Sequence, residues 1–349
     1  MGDILHALPA VTALRLAHPM WEIGWVVDPR WQALLKAEIR DQRTEISAVR
    51  DSAIPVVDRL HFACTRAWKR RPLTMKTAAE IDALRRELRG ANYDAVVDLQ
   101  GAIRSAAIAR LAGCPRRIGE AKPREWPAQW LFTERVSTRG AHVIEQDEEL
   151  ASAVAGDALT PAEPLLPVDP DAESWCEARC DEWFEAFFAG EARPIALIAP
   201  GAGWGAKRWP PERYAVVAQE LTRRGFLVLA NAGPGEVHLA ATIVAGGAAV
   251  PLITTLPQLI ALTRRIALCV AGDTGPLHLA CALGRPVVGI YGPTDPSRNG
   301  PYGTRAKVLR SPGSRRDHKR RAAPDPGLLT IAPEDVLRAV DELLAEGQA

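Results

Sequence analysis

Val270-Ala271-Gly272-Asp273-Thr274-Gly275-Pro276-Leu277-His278-Leu279-Ala280 passes from an apolar strand through a tight polar turn into a helix. The strand, Ala267–Ala271, is apolar without alternation, as burial on both faces requires. Unsatisfied backbone N–H groups and the positive end of the helix dipole then converge on the turn, which suits a phosphate or pyrophosphate. Thr274 and Gly275 are the natural donors, and His278 lies one turn into the helix on the side that could reach the same anion. An Asp/Thr cap with a structural histidine would account for the same residues. The flanking segments decide between the two.

Downstream, Gly284-Arg285-Pro286-Val287-Val288-Gly289-Ile290-Tyr291-Gly292-Pro293-Thr294-Asp295-Pro296 is a second strand ending in a Gly/Pro turn. Upstream, Ile195–Ala199 is a strand followed by Pro200-Gly201-Ala202-Gly203-Trp204-Gly205-Ala206-Lys207-Arg208-Trp209-Pro210 and a helix over Pro211–Arg224. Glycines in such a loop let the backbone approach a ligand, and Lys207 can neutralise its charge. The spacing is not that of a P-loop. Phe226–Ala230 reads as a strand, a helix starts near Gly235, and another covers Pro257–Arg264. This alternation predicts a parallel sheet covered on both faces. The first half repeats it less sharply, with strands at Ile23–Val27 and Ala95–Leu99, a helix through Leu5, Leu8, Val11 and Leu14, and another over Lys76–Leu88.

The expected fold is therefore α/β with two Rossmann-like lobes and a cleft between them. The stretch Thr160–Asp171 carries four prolines and no periodicity, so it separates a lobe over 1–165 from one over 166–332. Residues 333–349 form a last helix with Val336, Leu337, Val340, Leu343 and Leu344 on one face, placed as packing back on the first lobe. The chain opens at Met1-Gly2-Asp3 directly on a helix, so either the start codon is assigned too late or the first lobe lacks the strand that usually precedes its glycine turn.

Composition narrows the function. The 349 residues are 47% hydrophobic and 24% charged, which excludes a disordered chain. With 43 basic against 42 acidic residues the net charge is +1, so nucleic acid is disfavoured and any anionic partner must be met by a local patch. The six cysteines form no CxxC pair and no metal-ligand spacing with histidine, and read as reduced core residues of a cytoplasmic protein. No stretch reaches the roughly 18 apolar residues of a membrane span.

The chain resembles the lipopolysaccharide heptosyltransferases of glycosyltransferase family 9. The resemblance rests on Met1–Ala10, on Tyr93-Asp94-Ala95-Val96-Val97-Asp98-Leu99-Gln100-Gly101 with Arg104-Ser105-Ala106, and on Gly203-Trp204 through Lys207-Arg208-Trp209-Pro210. To these are added Gly233-Pro234-Gly235-Glu236, Asp273-Thr274-Gly275 with His278, and Tyr291-Gly292-Pro293-Thr294-Asp295-Pro296. The heptosyltransferase I branch is the closest. The resemblance implies a GT-B fold and inverting transfer of L-glycero-D-manno-heptose from ADP-heptose to a Kdo, or a heptose, of the inner core. It implies no cofactor and no metal, and a cytoplasmic protein peripheral to the inner membrane that meets Kdo-lipid A there.

It also implies roles. Asp3 stands where the catalytic base does, and Lys207 where a lysine balances the diphosphate. Gly203, Thr274, Gly275 and His278 match donor contacts, Asp273 faces the donor sugar, and Glu236 holds the ribose. Arg66, Trp68, Lys69, Arg70 and Arg71 form a basic cluster, of which Arg66 resembles an acceptor contact, as does Arg104. The basic loop Arg315–Arg321 could meet anionic lipid or nothing. Alternatives left open are a GT-B transferase or epimerase for another nucleotide sugar, and a truncated, non-catalytic nucleotide-sugar-binding protein.

Overall fold

A computed structural model of the chain describes residues 1–36, 38–39, 54–233, 235–317 and 321–347. The chain divides into two compact units at Pro167–Val168, inside the Pro-rich stretch.

The first unit comprises α1 (Gly2–Ala17), β1 (Gly24–Val27), β2 (Glu38–Ile39), β3 (Ile54–Pro55), β4 (Arg59–Phe62), α2 (Thr65–Arg70), α3 (Met75–Gly90), β5 (Ala95–Asp98), α4 (Ile103–Leu111), β6 (Arg116–Glu120), β7 (Glu134–Val136) and α5 (Val143–Ala155). Helix α1 is buried without a break from Leu5 to Arg15, so it is a core helix and not an amphipathic surface one. The two Nη atoms of its buried Arg15 donate to the Pro19 and Trp21 carbonyls at 2.9 and 2.7 Å and to the carboxylate of Asp58, while Nε has no hydrogen-bond partner among the described residues. Among the described residues the parallel strands fall in two sheets, β1-β4 and β5-β6-β7, beside the antiparallel pair β2-β3. Strands β1 and β5 are largely half-buried, with only Val27 and Asp98 buried.

The second unit comprises α6 (Pro170–Phe188), β8 (Ile195–Ala199), α7 (Pro211–Arg223), β9 (Leu227–Asn231), α8 (Val237–Val244), β10 (Val250–Leu252), α9 (Leu256–Thr263), β11 (Leu268–Gly272), α10 (Gly275–Ala282), β12 (Val287–Tyr291), α11 (Pro296–Asn299), β13 (Ala306–Arg310) and α12 (Pro333–Ala345). Its six strands form one parallel sheet in the order β10-β9-β8-β11-β12-β13. Strands β8, β9, β11 and β12 are buried along their whole length, the reason their sequences show no alternation.

Val336, Ala339, Val340 and Leu343 of helix α12 enter the core of the second unit beside Val217 and Leu221 of α7. Its apolar stripe at helical spacing lets it cover the α7 side of the same sheet.

Candidate functional site

Strand order reverses between β8 and β11, and in an open parallel sheet the loops leaving the strands on either side of that point diverge to leave a ligand crevice. The register pairs Ala199 with Ala271, so the two loops start level. The β8 loop brings Lys207, and the β11 turn brings Asp273 and the start of α10.

Here the two meet. Lys207 Nζ donates to Asp273 Oδ2, and His278 Nε2 lies 3.0 Å from Asp273 Oδ1. Both oxygens of Asp273 are thus engaged, and its side chain is only 8% exposed against 11% for Lys207. Burial opposes ionisation of Asp273, but His278 and Lys207 outweigh it and hold the carboxyl well below the usual range. A buried carboxylate held from both sides in this way cannot turn outward without breaking both contacts. Lys207 also lies 4.2 Å over the ring of Trp204, which fixes the ammonium from a second side. Thr274 is the N-cap residue of α10, with its hydroxyl on the Gly272 carbonyl at 3.2 Å, and Gly275 opens the helix. The first-turn amides of α10 therefore stand next to Lys207 in the arrangement that receives an anion.

Glu236, at the turn before α8, accepts from the Ala202 N–H at 3.0 Å and lies 3.8 Å from Arg208. Gly201 makes this possible, since a Cβ there would lie 2.0 Å from Glu236 Oε2. Gly203 is exposed, and Pro234 of the same motif lies outside the described residues. A support that sequence reasoning missed is the segment 321–325. The Ala206 N–H donates to the Arg321 carbonyl at 3.1 Å, and the Asp325 N–H to the Ala206 carbonyl at 3.2 Å. Gly205 is required there, because a Cβ would lie 1.5 Å from the Ala322 carbonyl oxygen. The basic loop 315–321 thus ends as a brace on the Lys207 loop, while residues 318–320 lie outside the described residues.

In the first unit Asp3 sits in the first turn of α1 with its side chain 57% exposed. Gln100 Nε2 donates to Asp3 Oδ2 at 2.6 Å, and Arg124 Nη1 lies 3.9 Å away. Gln100 is oriented in turn by Arg104, whose Nε donates to Gln100 Oε1 at 3.3 Å. Buried Asp98 at the end of β5 secures this loop, accepting from the Gln100 and Gly101 amides at 2.9 and 3.2 Å and from the Ser105 hydroxyl at 2.9 Å. Burial pushes the Asp98 carboxyl above its ordinary value in spite of these bonds. Arg124 carried no sequence signal, being a single arginine in a loop. Arg66 is exposed on α2.

A parallel sheet of this order, with a cation and a helix N-terminus converging at its switch point, defines a Rossmann-type unit built to hold an anion. Residues 81–326 match the sequence profile of glycosyltransferase family 9 (heptosyltransferase), and the chain belongs to that family. It is a glycosyltransferase of the GT-B fold. The lipopolysaccharide heptosyltransferase 1 of Escherichia coli O18:K1:H7 is 28% identical over 327 residues, covering 90% of each chain. The lipopolysaccharide heptosyltransferase 2 of E. coli K12 is 27% identical over 284 residues, or 75% of this chain and 78% of that one. The solved structure of E. coli heptosyltransferase WaaC with ADP superposes with a TM-score of 0.75 at 25% identity, covering 98% of this chain and 97% of that one.

Proposed function

We propose that the protein transfers L-glycero-D-manno-heptose, with inversion, from ADP-heptose to a Kdo residue of the lipopolysaccharide inner core. The observation that carries this reading is the preformed Lys207–Asp273–His278 cluster beside the first turn of α10, in a family whose relatives act as heptosyltransferases. The N–H groups at Thr274 and Gly275 bind the diphosphate, and Lys207 turns part of its three-proton donor capacity from Asp273 to the leaving ADP. His278 supports the same charge through Asp273. Glu236 binds the ribose, and Gly203 admits the nucleotide backbone closely. Lys207 and the helix terminus supply the positive charge, so this reading calls on no metal ion and no cofactor.

Asp3 is the general base. It takes the proton of the acceptor hydroxyl as that oxygen bonds to the anomeric carbon, and the bond from that carbon to the ADP oxygen breaks with its electron pair leaving on ADP. Gln100 holds Asp3 Oδ2, which leaves Oδ1 for the acceptor. Arg66, Arg104 and Arg124 meet the carboxylate and phosphates of Kdo-lipid A, the protein working as a peripheral component at the cytoplasmic face of the inner membrane. Among the described residues no helix is long and apolar enough to cross a membrane.

The test is incubation with ADP-heptose and deacylated Kdo-lipid A, followed by mass spectrometry. One added heptose is the expected product. Turnover of the donor without transfer would favour an epimerase, and ADP-heptose binding with neither reaction would favour a non-catalytic binding protein.

A further inference from the structure

Leu73 and Met75, in the connection from α2 to α3, are 98% and 89% exposed. They do not belong to a loose tip. Thr74 caps α3 by accepting from the Thr77 N–H at 3.2 Å, and the Arg71 carbonyl accepts from the Thr77 and Thr74 hydroxyls at 2.7 and 3.2 Å. A pinned turn therefore displays both apolar side chains to the outside. Lys69, Arg70, Arg71 and Lys76 flank them in sequence and are exposed. The acids of α3 are engaged elsewhere. Glu80 accepts from Trp68 Nε1 at 2.8 Å, Asp82 pairs with Arg85 and Arg86 at 2.8 and 3.1 Å, and Glu87 pairs with His61 at 2.6 Å. The four cations make no ion pair among the described residues.

Water rewards neither an apolar tip nor a concentration of unpaired cations. The boundary of an anionic bilayer rewards both, taking the apolar groups into the acyl region and the ammonium and guanidinium groups at the headgroup phosphates. We propose that the segment 69–76 docks the first unit on an anionic lipid bilayer, with Leu73 and Met75 inserted. This rests on the peripheral placement proposed above and names the segment that makes the contact; it needs neither donor nor acceptor, so its failure would leave the transfer test standing.

The experiment is flotation of the full chain with empty vesicles, one set of phosphatidylethanolamine and phosphatidylglycerol and the other of phosphatidylcholine alone. The wild type is expected to float with the anionic set, and to bind about tenfold more weakly as salt rises from roughly 0.05 to 0.5 M. L73S/M75S should weaken binding about tenfold, and R70Q/R71Q about fivefold for each charge removed. Circular dichroism melting and ADP affinity, both expected to match the wild type, show that the variants are folded. Unchanged flotation of both variants would overturn the proposal, as would salt-independent binding to phosphatidylcholine. So would an oligomer, seen by sedimentation, that L73S/M75S dissociates, because a second copy would then be what covers the patch.

Discussion

Replacing Lys207 by methionine separates the structural and chemical work of the β8 loop. The substitution keeps the length of the side chain but strands Asp273, 8% exposed, with His278 as its remaining partner. Breaking a buried pair from one side costs roughly 3–5 kcal/mol. Because His278 keeps its contact with Asp273 Oδ1 at 3.0 Å, the lower end applies, about 3 kcal/mol. Adding Asp273→Leu removes the stranded charge, and a buried pair exchanged for apolar residues of similar size is close to neutral, so K207M/D273L should regain most of the loss. Urea unfolding followed by tryptophan fluorescence measures this, with Trp204 and Trp209 reporting on the loop. The pH dependence has a definite sign. Asp273 is held below its ordinary value, so its contribution is present above the unfolded carboxylate value of about 4 and is lost only as pH falls through the lower folded value. In Lys207→Met the carboxyl takes up a proton at higher pH, and the gap to wild type should narrow as pH falls below about 4. ADP calorimetry should behave differently: single and double variants both lose about 10- to 100-fold in affinity, the range for one charge-assisted contact. A Lys207→Met variant within about 0.5 kcal/mol of wild type at pH 7 would refute the reasoning, because the pair would then contribute nothing that solvent does not supply.

Asp3→Asn should leave ADP-heptose affinity within about threefold and lower turnover by roughly 10² to 10⁴, measured by product mass spectrometry. Gln100→Glu puts a second carboxylate where Nε2 now donates to Asp3 at 2.6 Å, so the acidic limb of the turnover profile should move up by roughly one pH unit, while Gln100→Ala lowers turnover with less displacement of the profile. Gly201→Ala drives a Cβ against Glu236 and should cost about tenfold in ADP affinity by calorimetry, with Gly235→Ala, where a Cβ meets open space, as the control. Arg66→Ala should raise the acceptor KM severalfold with donor binding unchanged, whereas Arg316→Ala, 72% exposed and 3.9 Å from Asp295, should do much less; kinetics with both substrates varied will show which.

The second unit was legible because its strands are uniformly apolar and its loops are punctuated by glycine and proline. Ile195–Ala199 is recovered to the residue, and the neighbouring elements to within one or two. Strands that carry charge were not read. Arg59–Phe62 and Arg116–Glu120 place Arg59, Arg116, Arg117 and Glu120 outside the core, so their strand pairing is set by neighbours and not by their own pattern. Helix α6 was missed for a related reason: only Ala172, Cys176, Cys180 and Trp183 are buried, a stripe too narrow to stand out among its charged residues. At the site, motifs named Lys207, Asp273 and His278, but not that Asp273 engages both of the others. Lys207 and Asp273 lie 66 positions apart, and only the switch point of the sheet brings them together.

That pairing bears on how the two substrates are met. In the second unit the cations at the site are already matched, Lys207 by Asp273 and Arg208 approached by Glu236. A diphosphate therefore gains there mainly through directed hydrogen bonds from the α10 amides and a shared ammonium, which are short-ranged and weakly sensitive to salt. In the first unit Arg66 stands exposed, Arg104 is bound to a neutral amide, and Arg124 reaches Asp3 only at 3.9 Å. These charges are incompletely matched and face water, so their field reaches to about the Debye length of 8 Å at physiological salt. A protein of net charge +1 has no global field to guide a polyanion. On the proposed reading, acceptor capture should then weaken with ionic strength while ADP affinity barely changes, and an equal salt dependence of the two would mean that Arg66, Arg104 and Arg124 do not form the acceptor's entry.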